Sequence, residues 1–170
     1  MEEIEEQVLS REEVLEKVRE NGKFLDKVDE CFKDDREIAF EAVKNNPEAL
    51  EFVSERLKKD REIVFESVSK IGWTYCYAGE NLLKDKELLL AGIKKSGQIF
   101  YFTSPELRDD KDVVLEAIEA KPIIMKYASK RLRSDKDVGI AVMNKNKKCF
   151  GFLDESLQKD EEILNIKNAE

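Results

Sequence analysis

Histidine is absent from the 170 residues. Its absence removes the Ser-His-Asp triad, the Cys-His pair and every zinc or iron site that depends on an imidazole. Cysteine is sparse, and Cys31, Cys76 and Cys149 form no Cys-x-x-Cys spacing. Three thiols cannot all pair, so the chain reads as reduced and cytoplasmic, not as a disulfide scaffold. The missing Asn-x-Ser/Thr sequon agrees with that reading. Long hydrophobic runs are also missing. The longest, from Leu88 to Ile93, has six residues, where a membrane span needs about 20. The opening MEEIEEQ has neither the basic stretch nor the apolar core of a secretory signal. With only 7 glycines and 3 prolines, none of them clustered, no linker or low-complexity tract divides the chain.

What the chain has is charge. Charged residues make up 40% and apolar residues 41%, and 30 Lys+Arg against 38 Asp+Glu leave a formal charge of −8. The apolar share is too high for a disordered chain.

An internal repeat organises this composition. Asp-Lys/Arg-Asp/Glu-apolar begins at Asp35, Asp60, Asp85, Asp110 and Asp135, always 25 residues apart, with a weaker copy at Asp160 and a degenerate one at Ser10-Arg11-Glu12. Six full units therefore run 10–34, 35–59, 60–84, 85–109, 110–134 and 135–159 without insertion or deletion, flanked by capping segments 1–9 and 160–170. Positions within the period are numbered 1 to 25 from Ser10. Position 9 is Val18, Val43, Val68, Ile93, Ile118 and Met143; position 23 is Phe32, Leu57, Leu82, Leu107, Leu132 and Leu157. Positions 6 and 16 are equally apolar. Such columns recur when each unit buries one face against the next.

Each period reads as a helix over positions 2–11, a second over 13–19 and a short turn, 3₁₀ or similar, over 21–24. The first has apolar residues at positions 4, 5, 6, 8 and 9, the i, i+3, i+4 spacing of one helical face. Asp at position 1 suits its N-cap. Pro47 and Pro122 at position 13 mark the start of the second, behind Asn21, Asn46, Ser96 and Asn146 as caps. Since proline shares position 13 with glycine, no positive φ is required there. Glu13 in the first unit, and Asn165, Lys167 and Asn168 near the end, replace apolar residues with polar ones, as capping units do. Ile4, Val8 and Leu9 suggest a further capping helix over residues 2–9. The fold class expected is all-α: an α-solenoid, monomeric, forming a single domain over 1–170.

Units such as DKDVVLEAIEAKPIIMKYASKRLRS and DREIAFEAVKNNPEALEFVSERLKK resemble the tandem repeats of the domain-of-unknown-function 4116 family over residues 10–159. The likeness lies in Asp-Lys-Asp/Glu-Val, then Ala-Val/Ile, then Gly/Pro, then Tyr/Phe-Ala/Val-Ser-x-x-Leu. The period is also similar to that of leucine-rich-variant repeats, a resemblance that implies alternating α and 3₁₀ helices in a right-handed superhelix. Neither family supplies catalytic residues, cofactors or metals to carry over, and none is expected here.

Several patterns compete as sites. Position 18 is aromatic in five units (Phe52, Tyr77, Phe102, Tyr127 and Phe152), and its apolar neighbours favour a core column over a base-stacking ladder. Positions 2 and 24 are mostly basic: Arg11, Arg36, Arg61, Lys86, Lys111 and Lys136, with Lys33, Lys58, Arg108 and Arg133. Acidic neighbours and the net charge make a solvated edge the better reading and nucleic acid a poor partner. Gly92 and Gly97 have phosphate-loop spacing, but Gln98 and Ile99 stand where Lys and Ser/Thr belong. Carboxylate pairs such as Glu62 and Glu66 recur with the repeat and so read as helix N-terminal charges; an acid-only hydrolase is a remote alternative.

Positions 12, 14 and 17 are polar in the outer units but become Ile71, Trp73, Cys76, Tyr101 and Ile123 in the middle ones. Two readings stay open. These residues form an exposed patch for a protein or peptide, since Trp and Tyr are enriched at interface hot spots, or they are buried by local repacking. The function expected is a non-enzymatic helical repeat scaffold for protein or peptide binding, with a nucleic-acid-binding array as the alternative.

Overall fold

The computed structural model describes residues 9–169. Of the capping helix expected over 2–9, residues 2–8, with Ile4 and Val8, lie outside the described residues, and Leu9 is half-buried and not helical. Within them the chain is all-helical and built of tandem repeats, with no strand. None of its helices is long and apolar enough to cross a membrane.

Ten-residue α-helices recur in register at Arg11–Glu20, Arg36–Asn45, Arg61–Lys70, Lys86–Lys95, Lys111–Ala120 and Lys136–Lys145. Each begins where a side chain can satisfy free backbone N–H groups. Asp35, Asp60, Asp110 and Asp135 accept from two N–H groups each, and Asp85 from that of Leu88. Ser10, lacking the repeat's Asp, accepts from the Glu13 N–H while Glu13 accepts from its own, a reciprocal cap. A shorter helix, Glu161–Asn168, follows, with Asn165, Lys167 and Asn168 exposed as a cap requires.

The second element of each period is one residue shorter than the helix read over positions 13–19, and alternates with the long α-helix in the way the resemblance to leucine-rich-variant repeats implies. It is a 3₁₀ helix of six residues covering positions 13–18: Gly22–Lys27, Pro47–Phe52, Gly72–Tyr77, Gly97–Phe102, Pro122–Tyr127 and Lys147–Phe152. The tighter i→i+3 pattern suits a segment too short to close many α-type bonds. Asn21, Asn46 and Asn146 cap it as the sequence suggests, but Ser96 makes no side-chain cap bond. The short turn is α at Glu30–Lys33, Pro105–Arg108, Lys130–Arg133 and Glu155–Gln158, and 3₁₀ only at Leu57–Lys59 and Glu80–Leu82.

No glycine has positive φ. Glycine at position 13 answers a different demand. A Cβ on Gly72 would overlap the Gly92 carbonyl oxygen and stand 2.9 Å from the Ser96 nitrogen. The 3₁₀ helix thus rests directly on the backbone of the next long helix.

Neighbours supply the core. Long helices pack on long helices one period away, and 3₁₀ helices on 3₁₀ helices, while the substantial element pairings stay within a period or between adjacent ones. In the period starting at Asp35, Ile38, Ala39, Ala42, Val43, Ala49, Leu50, Val53 and Leu57 are all buried. Burying a Leu or Val side chain contributes about 1.5–3 kcal/mol. Ten-residue helices are marginal alone, so the stack holds what propensity cannot.

Two polar ladders lock the register. In the first, the position-2 cation of one period reaches forward to the acids at positions 1 and 3 of the next. Arg11 meets Asp35 and Glu37, Arg36 meets Asp60 and Glu62, Arg61 meets Asp85 and Glu87, and Lys86 meets Asp110. Lys111 and Lys136 continue it to Asp135, Asp137, Asp160 and Glu162. In the second, main-chain N–H groups of Ser54, Gly79, Ser104, Ser129 and Asp154 donate to carbonyls of Lys33, Lys58, Leu83, Arg108 and Arg133.

Candidate protein-binding surface

The surface is built on the row of 3₁₀ helices. At three residues per turn, positions 14 and 17 eclipse each other and point outward, while positions 15 and 16 turn inward. Ile99 and Phe100 are accordingly buried beneath the exposed Tyr101. In the helices Gly72–Tyr77 and Gly97–Phe102, the outward positions hold Trp73 and Cys76, then Gln98 and Tyr101. Neither helix contains a charged residue, in a chain that is 40% charged.

The structure places the five sequence-predicted residues as follows. Trp73 is 41% exposed, Tyr101 58% and Ile123 42%. Cys76 is exposed and Ile71 half-buried. Local repacking into the interior is therefore not what these residues do. Trp73 meets Tyr77 edge-on with centroids 5.6 Å apart, and Tyr101 contacts Phe102 at 5.4 Å and Tyr127 at 5.6 Å. These aromatics occupy consecutive helices of one row.

Phe102, 51% exposed, also belongs to the patch. The core reading of position 18 fails there and is too strong elsewhere: Phe52, Tyr77, Tyr127 and Phe152 are half-buried, packed against the core from its edge. Position 18 ends each 3₁₀ helix, past the mostly buried positions 15 and 16.

The underside of the patch is unusually polar. Ser67 lies 2.7 Å from both the Pro47 carbonyl and the Thr74 hydroxyl, and Thr74 donates to the Ile71 carbonyl. One period on, the Tyr75 hydroxyl reaches Thr103, which donates to the Leu83 carbonyl. The Ser67, Thr74 and Thr103 hydroxyls stand where the other periods carry residues without one, mostly apolar. They hold the two uncharged helices by directional bonds as well as by packing.

Burial pushes the Cys76 thiol up, with Glu51 adding to the shift, so the thiolate is disfavoured and the cysteine is a poor nucleophile. Burial and Glu51 likewise raise Tyr77, placing that carboxylate at the margin of the aromatic row. The position-2 cations are committed to the ion-pair ladder, each paired with at least one acid of the next period. Gly92 and Gly97 are buried within the stack, against Ile99 and Lys121. Dents on the long-helix side, such as the one lined by Phe40, Arg61, Glu62, Phe65 and Glu66, are open and shallow.

The family model described as a domain of unknown function (DUF4116) matches the chain three times in tandem, over residues 10–58, 60–108 and 110–158. Each match spans two of the 25-residue periods. Searches of curated proteins and of solved structures find no match.

Proposed function

We propose that this chain, which belongs to the DUF4116 family, is a non-enzymatic helical repeat scaffold that binds another protein or a peptide. Its six 25-residue units stack as an α-solenoid, a right-handed superhelix on the resemblance to leucine-rich-variant repeats. It works as a cytoplasmic monomer without a cofactor. A single observation supports the binding role most: two adjacent uncharged helices expose Trp73, Tyr101 and Phe102 together. Large aromatic side chains are the commonest anchors of binding energy, and a chain otherwise rich in charge has no structural need to leave them in water. Repeat arrays present such equivalent positions as one long surface.

The test compares wild type with the Trp73→Ala/Tyr101→Ala double variant. Both side chains are substantially exposed, so thermal unfolding should shift little. Affinity capture followed by mass spectrometry should lose a specific set of partners. A variant that keeps every partner, or that unfolds many degrees earlier, refutes the reading.

A further inference from the structure

From Pro47–Phe52 onward the row of 3₁₀ helices is electrically polarised, whereas the helix before it, Gly22–Lys27, carries Lys23, Asp26 and Lys27. Pro47–Phe52 carries Glu48 and Glu51 and no cation; the next two helices carry no charge; Pro122–Tyr127 carries Lys126 behind the cap residue Lys121; Lys147–Phe152 carries Lys147 and Lys148. Over these five helices the formal charge thus steps from −2 through zero to +2, in a chain whose total is −8. Among the described residues Lys121, Lys126 and Lys148 pair with no carboxylate, and Glu51 pairs with no cation, while Glu48 is partly neutralised by Lys23 at 2.8 Å. The basic end is the more telling, because it opposes the overall sign and takes no part in the ion-pair ladder.

The apolar centre is limited in size. The exposed fractions of Trp73, Tyr101, Phe102 and Ile123 correspond to about 400 Å², given full side-chain areas of roughly 150–250 Å². That matches a functional patch on a monomer and is about half of what each partner of a standard protein–protein interface buries. A short segment fits better than a second folded copy.

The spacing narrows the segment's shape. Packed helices lie about 8–10 Å apart, so aromatic position 18 and outward position 17 recur at that step. A polyproline-II segment repeats every three residues, about 9.3 Å, and presents the same face at each turn. Aromatic-lined surfaces dock such segments at low entropic cost. Resting on the binding role proposed above, we propose that the occupant is an extended polyproline-II-type peptide. It has an apolar residue or proline at every third position, basic residues at the end over Glu48 and Glu51, and acidic residues at the end over Lys126 and Lys148.

The test selects a displayed library of random peptides, each roughly four polyproline-II turns long, on the full chain, with counter-selection on the folded Trp73→Ala/Tyr101→Ala variant. Should that variant lose its fold, Tyr101→Arg replaces it. The expected winners show three-residue apolar spacing and separated charges. A synthetic winner should bind at least about tenfold more tightly than an isomer with its charges interleaved, and at least about tenfold more tightly to wild type than to Glu48→Lys/Glu51→Lys. Patch-dependent winners lacking charge separation or the three-residue spacing overturn this proposal and leave the binding role standing. If no winner depends on the patch, both fall. Self-association in sedimentation, undone by the double variant, assigns the surface to a second copy and also overturns the proposal.

Discussion

Replacing glycines by alanine at three places measures how closely adjacent periods approach. At Gly72 the added methyl would overlap the Gly92 carbonyl oxygen and press on the Ser96 nitrogen at 2.9 Å and Lys95 Cβ at 3.0 Å. Two of these atoms are backbone, so relief requires the 3₁₀ helix and the next long helix to part by about 1 Å at their tightest contact, and overpacking of this kind costs about 1–3 kcal/mol. At Gly97 the nearest atoms are side-chain carbons of Lys121 at 3.1 Å and Ile124 at 3.3 Å, which can yield by a few tenths of an ångström. Its cost should be about 1 kcal/mol or less. At Gly151 nothing lies within 4 Å and φ is not positive, so alanine should be neutral or stabilise by about 0.4–1 kcal/mol through the unfolded chain. Urea unfolding followed by far-ultraviolet circular dichroism gives the three values on one scale. The reasoning is refuted if Gly72→Ala unfolds within about 0.5 kcal/mol of wild type, or if Gly97→Ala proves the more damaging.

Acid should unfold the chain in a defined window. The Arg11 guanidinium holds the Asp35 carboxyl below the usual range, and Lys86 and Lys136 do the same for Asp110 and Asp160. Burial alone would raise Asp60, Asp85 and Asp135, but Arg36, Arg61 and Lys111, with backbone N–H groups, more than offset it. Carboxylates depressed in the folded state favour folding above their unfolded pKa of about 3.9, and that contribution disappears as pH falls through it and below. A circular dichroism titration should show full structure above about pH 5 and loss below about pH 4, with a smaller pH dependence in high salt; greater stability at lower pH would contradict the ladder. Under the patch, Thr74→Val should cost about 1 kcal/mol by removing the hydroxyl that bonds both the Ile71 carbonyl and Ser67, which keeps only the Pro47 carbonyl. Adding Ser67→Ala strips the Pro47 carbonyl of its hydroxyl donor as well, so the double variant should be less stable than either single one but by less than the sum of the two losses; strictly additive effects in the double-mutant cycle would show that the hydroxyls do not cooperate.

The long helices were legible because the repeat restates their start at every Asp, and their cap bonds follow from residue type alone. Asn21, Asn46 and Asn146 were legible for the same reason. The 3₁₀ character of Gly72–Tyr77 and its equivalents followed only from the resemblance to leucine-rich-variant repeats and not from the residue pattern, because apolar residues at positions 15, 16 and 19 satisfy either helical period over so short a run. Phe102 was not legible either: its column is aromatic in five units, and residue type does not separate the exposed Phe102 from the half-buried Phe52, Tyr77, Tyr127 and Phe152. Trp73, Tyr101 and Ile123 could be singled out because their columns are polar in the outer units, but composition could not choose between interface and repacking. The position-2 cations could be recognised as a balanced edge. Their partners, 24 and 26 residues onward, emerge only when periods are stacked.

The forward-reaching ladder makes every junction chemically alike. Excising residues 85–109 would bring Arg61 up to Asp110 and Asp112 in place of Asp85 and Glu87, and the same kind of clasp would close. Whole periods are thus interchangeable parts with matching couplings. An ancestral chain could grow or shrink in steps of about 10 Å, refitting no joint, while the faces presented along the way diversified independently.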